Sequence, residues 1–248
     1  MSKISVKTVA LTTFGIDILG IAIAVSRAII LDRSPMRYFG EGGFMTWIST
    51  LQLLIIAILC WKISTLRKSK LKSAPLKKRP VIFWRISAAG MFFFALDETF
   101  KIHENLDRSI LKAFAIAETS FTTRLDDLII LFYVIAGLLF IYWYRQELKR
   151  FIAAFFWLKW AVFFSFLTVF LDMFGHNRET FAPFADNLEE LNHIHHWVST
   201  AEEIPKILAG GAFIVTFYSC LQIAKKIKYL TVARKRATNH APTLPRSH

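Results

Sequence analysis

The sequence predicts an all-α, polytopic membrane protein: a bundle of about six transmembrane helices with both termini cytoplasmic. Three observations predict it. Hydrophobic residues make up 54% of the 248, 24 residues are Phe, and the mean hydropathy is +0.42. That is more apolar surface than one soluble core of this length hides. The apolar residues fall in long runs, and about 20 residues of helix cross a hydrocarbon core about 30 Å thick. The charge is segregated as well. A net charge of +13 and a pI near 9.9 would suggest nucleic acid in a soluble chain, but here the basic residues sit in blocks beside the apolar runs. This is the positive-inside pattern of a chain whose partner is the lipid bilayer, so no nucleic-acid partner is expected. Cys60 and Cys220 lie near the ends of different runs with no partner spacing, which indicates neither a disulfide framework nor a thiolate metal site.

The first span, about residues 9–31, follows Lys3 and Lys7 and contains Asp17. Ala22-Ile23-Ala24 resembles a signal-peptide cleavage site, but the apolar run continues to Ile30, so a retained span is the better reading. Residues 32–43, with Pro35, Gly40, Gly42 and Gly43, read as a short loop before the second span, about 44–63. Lys62 to Arg79 carries eight basic residues and no acid, which marks the cytoplasmic side. The remaining spans are about 81–96, 128–143, 151–174 and 204–221, so residues 1–230 form one six-span domain. Residues 231–248 read as a disordered basic cytoplasmic tail. Of the 18 acids, all but Asp17 and Glu147 then fall on the outer side, with His103, His176, His193, His195 and His196. No internal repeat suggests a transporter of two inverted halves.

The outer face carries the candidate chemistry. Only 11 uncharged residues separate Arg85 from Asp97, and 11 more separate Trp160 from Asp172. Each stretch is worth about 16 Å of helix, so Asp97, Glu98 and Asp172 sit below the outer surface, where ionisable groups are costly and mark function. Continued past Leu96 as a helix, the third span places Asp97, Lys101, Glu104 and Arg108 on one stripe, and His103, Glu104 and Asp107 on an adjacent face. The first set reads as i,i+4 ion pairs, the second as oxygen and nitrogen ligands for a metal. Asp172 and His176 are a further i,i+4 pair, although Gly175 lies between them. Asp126 and Asp127 open a span, where capping and the helix dipole account for them. In the loop before the last span, Glu190-x-x-His193 has the spacing of carboxylate-bridged metal bundles. Ser199-x-x-Glu202 and Thr200-x-x-Glu203 fit capping boxes for that span. On the inner side, Asp17 and Lys159 lie at one depth and read as a buried ion pair, with a proton relay as the alternative.

Asp97-Glu98-x4-His103-Glu104, Asp172 at the end of the fifth span, and Glu202-Glu203 opening the last together resemble uncharacterised bacterial multi-span membrane proteins. The resemblance covers the last four spans and implies a shared outer-face site, with Asp standing at 172 where those proteins have Glu. Two characterised groups are fainter likenesses. Membrane hydrolases of the alkaline ceramidase type hold a metal with His and Asp at a membrane face, but have seven spans and a His-x3-His motif absent here. The C subunit of copper membrane monooxygenases carries Asp-x3-His, as in Asp172-x3-His176, but position 189 is Glu where its second histidine would fall.

The expected function is therefore a metal-dependent enzyme, most simply a hydrolase, acting on a lipid or lipid-linked substrate at the extracytoplasmic face of a bacterial inner membrane. Zinc, iron or manganese would be held by His103, Glu104, Asp172 and His176, with Glu98 or Glu203 as general base and Asp97, Asp107, Glu190, His193 and Glu202 as further candidates. Two alternatives stand beside it: a cation or proton-coupled transporter with the acidic cup as vestibule, and a non-catalytic subunit whose outer loops bind a protein partner.

Overall fold

The computed structural model describes residues 4–40, 42–67, 80–102, 125–175 and 178–239, with isolated positions at 105, 106, 109 and 113. Among them the chain is helical with no strand: α1 (Val6–Ile30), α2 (Met36–Phe39), α3 (Phe44–Leu66), α4 (Pro80–Phe100), α5 (Leu125–Trp143), α6 (Arg145–Leu148), α7 (Phe155–Gly175) and α8 (Leu188–Asn239). Short 3₁₀ stretches at Lys149–Ala154 and Arg178–Phe184 lead into α7 and α8. Five helices are long and apolar enough to cross a membrane, and α5 adds the shorter apolar run Leu131–Trp143. The protein is a multi-pass all-α membrane bundle.

Local chemistry sets several boundaries. Ser5 caps α1, its Oγ accepting the Thr8 N–H at 3.0 Å. Pro80 opens α4, where a missing N–H costs nothing. Lys101 closes α4 in the left-handed region (φ 53°), its N–H donating to the Asp97 carbonyl at 2.7 Å, and the Asn105 side-chain amide donates to the Phe100 carbonyl. The helix therefore does not run on through Lys101, and Glu104 and Arg108 of the expected stripe lie outside the described residues. The loop at 32–43 holds a helical turn, α2, whose Phe39 is buried.

The largest departure is α8. The segment expected as a loop is helix from Leu188 onward, and the last helix runs through the span to Asn239, into the expected tail. Asn187 starts it. Its Oδ1 accepts the Glu190 N–H at 2.9 Å, and Glu190 Oε2 accepts the Asp186 N–H at 2.8 Å. The capping pair is thus Asn187 with Glu190, not Ser199 or Thr200, and Thr200 donates instead to the His196 carbonyl inside the helix.

α8 is the axis of the bundle, with α7, α3, α1 and α2 packed against it and α4 against α3. α1 buries small residues, Gly20, Ala24 and Ala28, while Leu11, Ile18, Leu19 and Ile29 face outward. Lipid is as apolar as leucine, so close packing of small residues is what holds helices together there. α5 joins α4 through Tyr133, whose ring lies 5.7 Å from Phe93 and 5.9 Å from Phe94, and through Phe140 stacked on Phe83 at 5.1 Å. Free Cys60 and Cys220 are buried with Trp84, Phe151 and Ile214 in the core cluster.

The basic end is tied by the acid that stood apart from the charge ledger. Arg67 donates to both Glu147 oxygens at 2.7 Å, and Trp84 Nε1 donates to Oε1 at 3.2 Å. The side chains of Arg67 and Glu147 are 9% and 8% exposed. This fork fastens α6 to the ends of α3 and α4. Tyr218 of α8 donates to the Ile4 carbonyl, so the start of α1 lies beside the later part of α8.

Candidate functional site

At the opposite end, α4, α7 and α8 bring acids together. The last turn of α4 supplies Asp97, 8% exposed, and Glu98. α7 ends with Asp172 and Gly175, and α8 supplies His195, Ser199, Glu202, Glu203 and Lys206. Asp97 and Glu98 lie within α4 and not beyond it.

Lys206 organises the centre. Its Nζ is 2.9 Å from Glu98 Oε1 and 3.3 Å from Glu203 Oε2, linking α4 to α8. Both residues expected as general bases are therefore held by an ammonium, a contact the sequence reading did not contain. One turn along, Asp172, Gly175, His195, Ser199 and Glu202 line a polar cavity of about 160 Å³. Gly175 admits the close approach: a Cβ there would lie 3.1 Å from Glu202 Oε2 and 3.3 Å from Val198 Cγ1. Asp172, Glu203 and Lys206 are the charges that act on Glu202. Glu98 and Glu203 thus meet at Lys206, with Asp172 and Glu202 at the adjoining cavity.

The other candidates separate. His193 Nε2 accepts the Trp197 indole N–H at 3.0 Å, and Glu190 is the cap of α8, so this i,i+3 pair serves the helix start. His196 Nδ1 lies 3.1 Å from Ser34 Oγ, fastening α8 to the segment before α2. His103, Glu104, Asp107 and His176 lie outside the described residues. Among the described residues no three His, Cys, Asp or Glu side chains come together as metal ligands. His195 and Ser199 were not expected at the site. Positions 195, 199, 202 and 206 share one helical face at i,i+4, i,i+3 and i,i+4, which is visible once the segment is read as helix.

Asp17 does not meet Lys159. Its Oδ1 accepts from Gln52 Nε2 at 2.8 Å, and that amide also donates to the Ile207 carbonyl at 3.2 Å. Lys159 lies on the exposed face of α7, in a lipid-facing groove with Phe155, Phe163 and Phe166. α1 touches α7 at Phe14, whose ring lies 6.1 Å from Trp157, but the Asp17 carboxylate turns toward Gln52 of α3 and Gly211 of α8.

No curated protein and no solved structure matches the chain. Residues 6–221, from the first turn of α1 into the membrane part of α8, match one family and include both the acidic cavity and the Asp17–Gln52 pair. The chain belongs to that family, described as a domain of unknown function, DUF8692.

Proposed function

We propose that the protein is a metal-dependent enzyme of a bacterial inner membrane, acting at the extracytoplasmic face on a lipid or lipid-linked substrate, most simply by hydrolysis. The observation that carries this reading is the cavity where Asp172 of α7 meets Glu202, His195 and Ser199 of α8. Carboxylates, an imidazole and a hydroxyl at one membrane-embedded corner are the groups that bind a hard or borderline cation and handle the proton of its bound water. Asp172 and Glu202 are the ligands this reading takes from the described residues, with His103, Glu104 and His176 as the remaining donors. His195, which lines the cavity, would hold a proton there, and the Glu98–Lys206–Glu203 bridge positions α8 against α4. The basic blocks beside the spans support an extracytoplasmic placement of the cavity.

The test is metal content of tag-free, detergent-purified protein by mass spectrometry. Near-stoichiometric zinc, iron or manganese is expected in the wild type and in His193→Ala, whose imidazole is taken by Trp197. At least a tenfold loss is expected in Asp172→Ala and Glu202→Ala. Metal absent from the wild type, or lost only with His193, would sink the reading.

A further inference from the structure

We propose that Asp17, with Gln52 and the Gly210–Gly211 notch of α8, is a membrane-embedded proton-binding site that holds its proton in the resting fold. This site is separate from the outer cavity, and the inference does not depend on the enzyme reading.

Asp17 is 1% exposed, midway along a 25-residue span. Gln52 uses both of its amide hydrogens, one on Asp17 Oδ1 and one on the Ile207 carbonyl, so its side chain is fixed with the N–H₂ toward the acid. Asp17 Oδ2 is buried with no hydrogen-bond partner. It points at Gly211, where a Cβ would collide with it, and Thr13 lies at the same spot. At Gly210 a Cβ would likewise collide with Gln52 Oε1. Two successive glycines are thus what lets two polar side chains lie against α8.

Among the described residues, every helix around Asp17 leaves it without a cation. On α1 the nearest charges are Lys7 and Arg27, each ten residues away or about 15 Å along the helix. On α3 the nearest is Lys62, ten residues from Gln52, with the Cys60 thiol before it in the core cluster. On α8, Lys206 lies five residues before Gly211 but binds Glu98 and Glu203, and the Cys220 thiol lies nine residues beyond. On α7, Lys159 is exposed. An anion held by one neutral amide in the bilayer interior is a heavily penalised state. Adding one proton to Oδ2 makes the site neutral and leaves the Gln52 bond to Oδ1 in place. The site is joined to the outer centre: Ile207, whose carbonyl holds Gln52, directly follows Lys206.

The experiment is infrared spectroscopy of the full-length protein in lipid nanodiscs, wild type minus Asp17→Asn, in potassium and in sodium buffer at neutral pH. The expected result is a protonated-carboxyl C=O band in the difference spectrum, equal in both salts. Gln52→Leu, which removes the hydrogen bond to Oδ1, shifts that band to higher frequency, and this variant decides the matter if Asp17→Asn does not assemble. A difference spectrum with only carboxylate bands, or a band unmoved by Gln52→Leu, overturns the proposal. A band present in potassium and lost in sodium also overturns it, identifying a metal-cation site.

Discussion

Replacing Glu147 by Ala is expected to destabilise the fold by about 3–5 kcal/mol, the cost of leaving one member of a buried ion pair behind. Glu147 accepts both arms of the Arg67 fork at 2.7 Å and the Trp84 indole N–H at 3.2 Å. With both charged side chains below a tenth exposed, solvent does little to replace what is lost. Arg150 is no substitute, since it lies 3.7 Å from Glu147 and is 59% exposed. The pair is different from its members. Removing both charges, as Arg67→Met with Glu147→Leu, is expected to recover most of the loss, leaving about 1 kcal/mol for the unsatisfied Trp84 N–H. Reversible unfolding in mixed micelles reads both. A loss below about 1 kcal/mol in the single variant would show that Arg67 reaches water at the basic end and that the fork is not what fastens α6.

The multi-pass all-α architecture was legible because it rests on length and composition, which a membrane makes decisive. What the sequence concealed depends on which helices touch. Glu189 to Glu203 read as a loop because it is polar, yet Asn187 and Glu190 cap it and its face at 195, 199, 202 and 206 is one line of a helix. The end of α4 was hidden because a lysine, not a glycine, takes the left-handed conformation at position 101. Asp17 and Lys159 share a depth, but equal depth does not set which way a side chain turns, and Asp17 meets Gln52 of α3 and Gly211 of α8 instead. Gln52 and Gly211 carry no signal by themselves. Only their meeting with Asp17 gives them a role.

Replacing Lys206 by Met is expected to act in two opposite directions, which separates a structural bridge from a cation site. The ammonium holds Glu98 and Glu203 at 2.9 and 3.3 Å, and with it gone those carboxylates face each other and Asp172 with nothing between. Lys206 is 37% exposed, so the loss should fall below that of a fully buried pair, at about 2 kcal/mol. Adding Glu98→Gln removes one of the repelling charges and should return about half of it. Cation affinity should move the other way. At an effective dielectric near 20, a unit charge and a divalent ion about 8 Å apart repel by about 4 kcal/mol, so removing an ammonium from the turn beside the cavity should raise affinity at least a hundredfold. Titrating zinc or manganese into purified wild type and Lys206→Met, with unfolding followed in parallel, should therefore show a less stable protein that binds metal more tightly. A variant that loses stability with unchanged metal affinity would make Lys206 a helix clamp alone and put the cation site elsewhere. Unchanged stability with tighter binding would make the bridge to α4 dispensable and assign Lys206 to holding the cavity's charge in check.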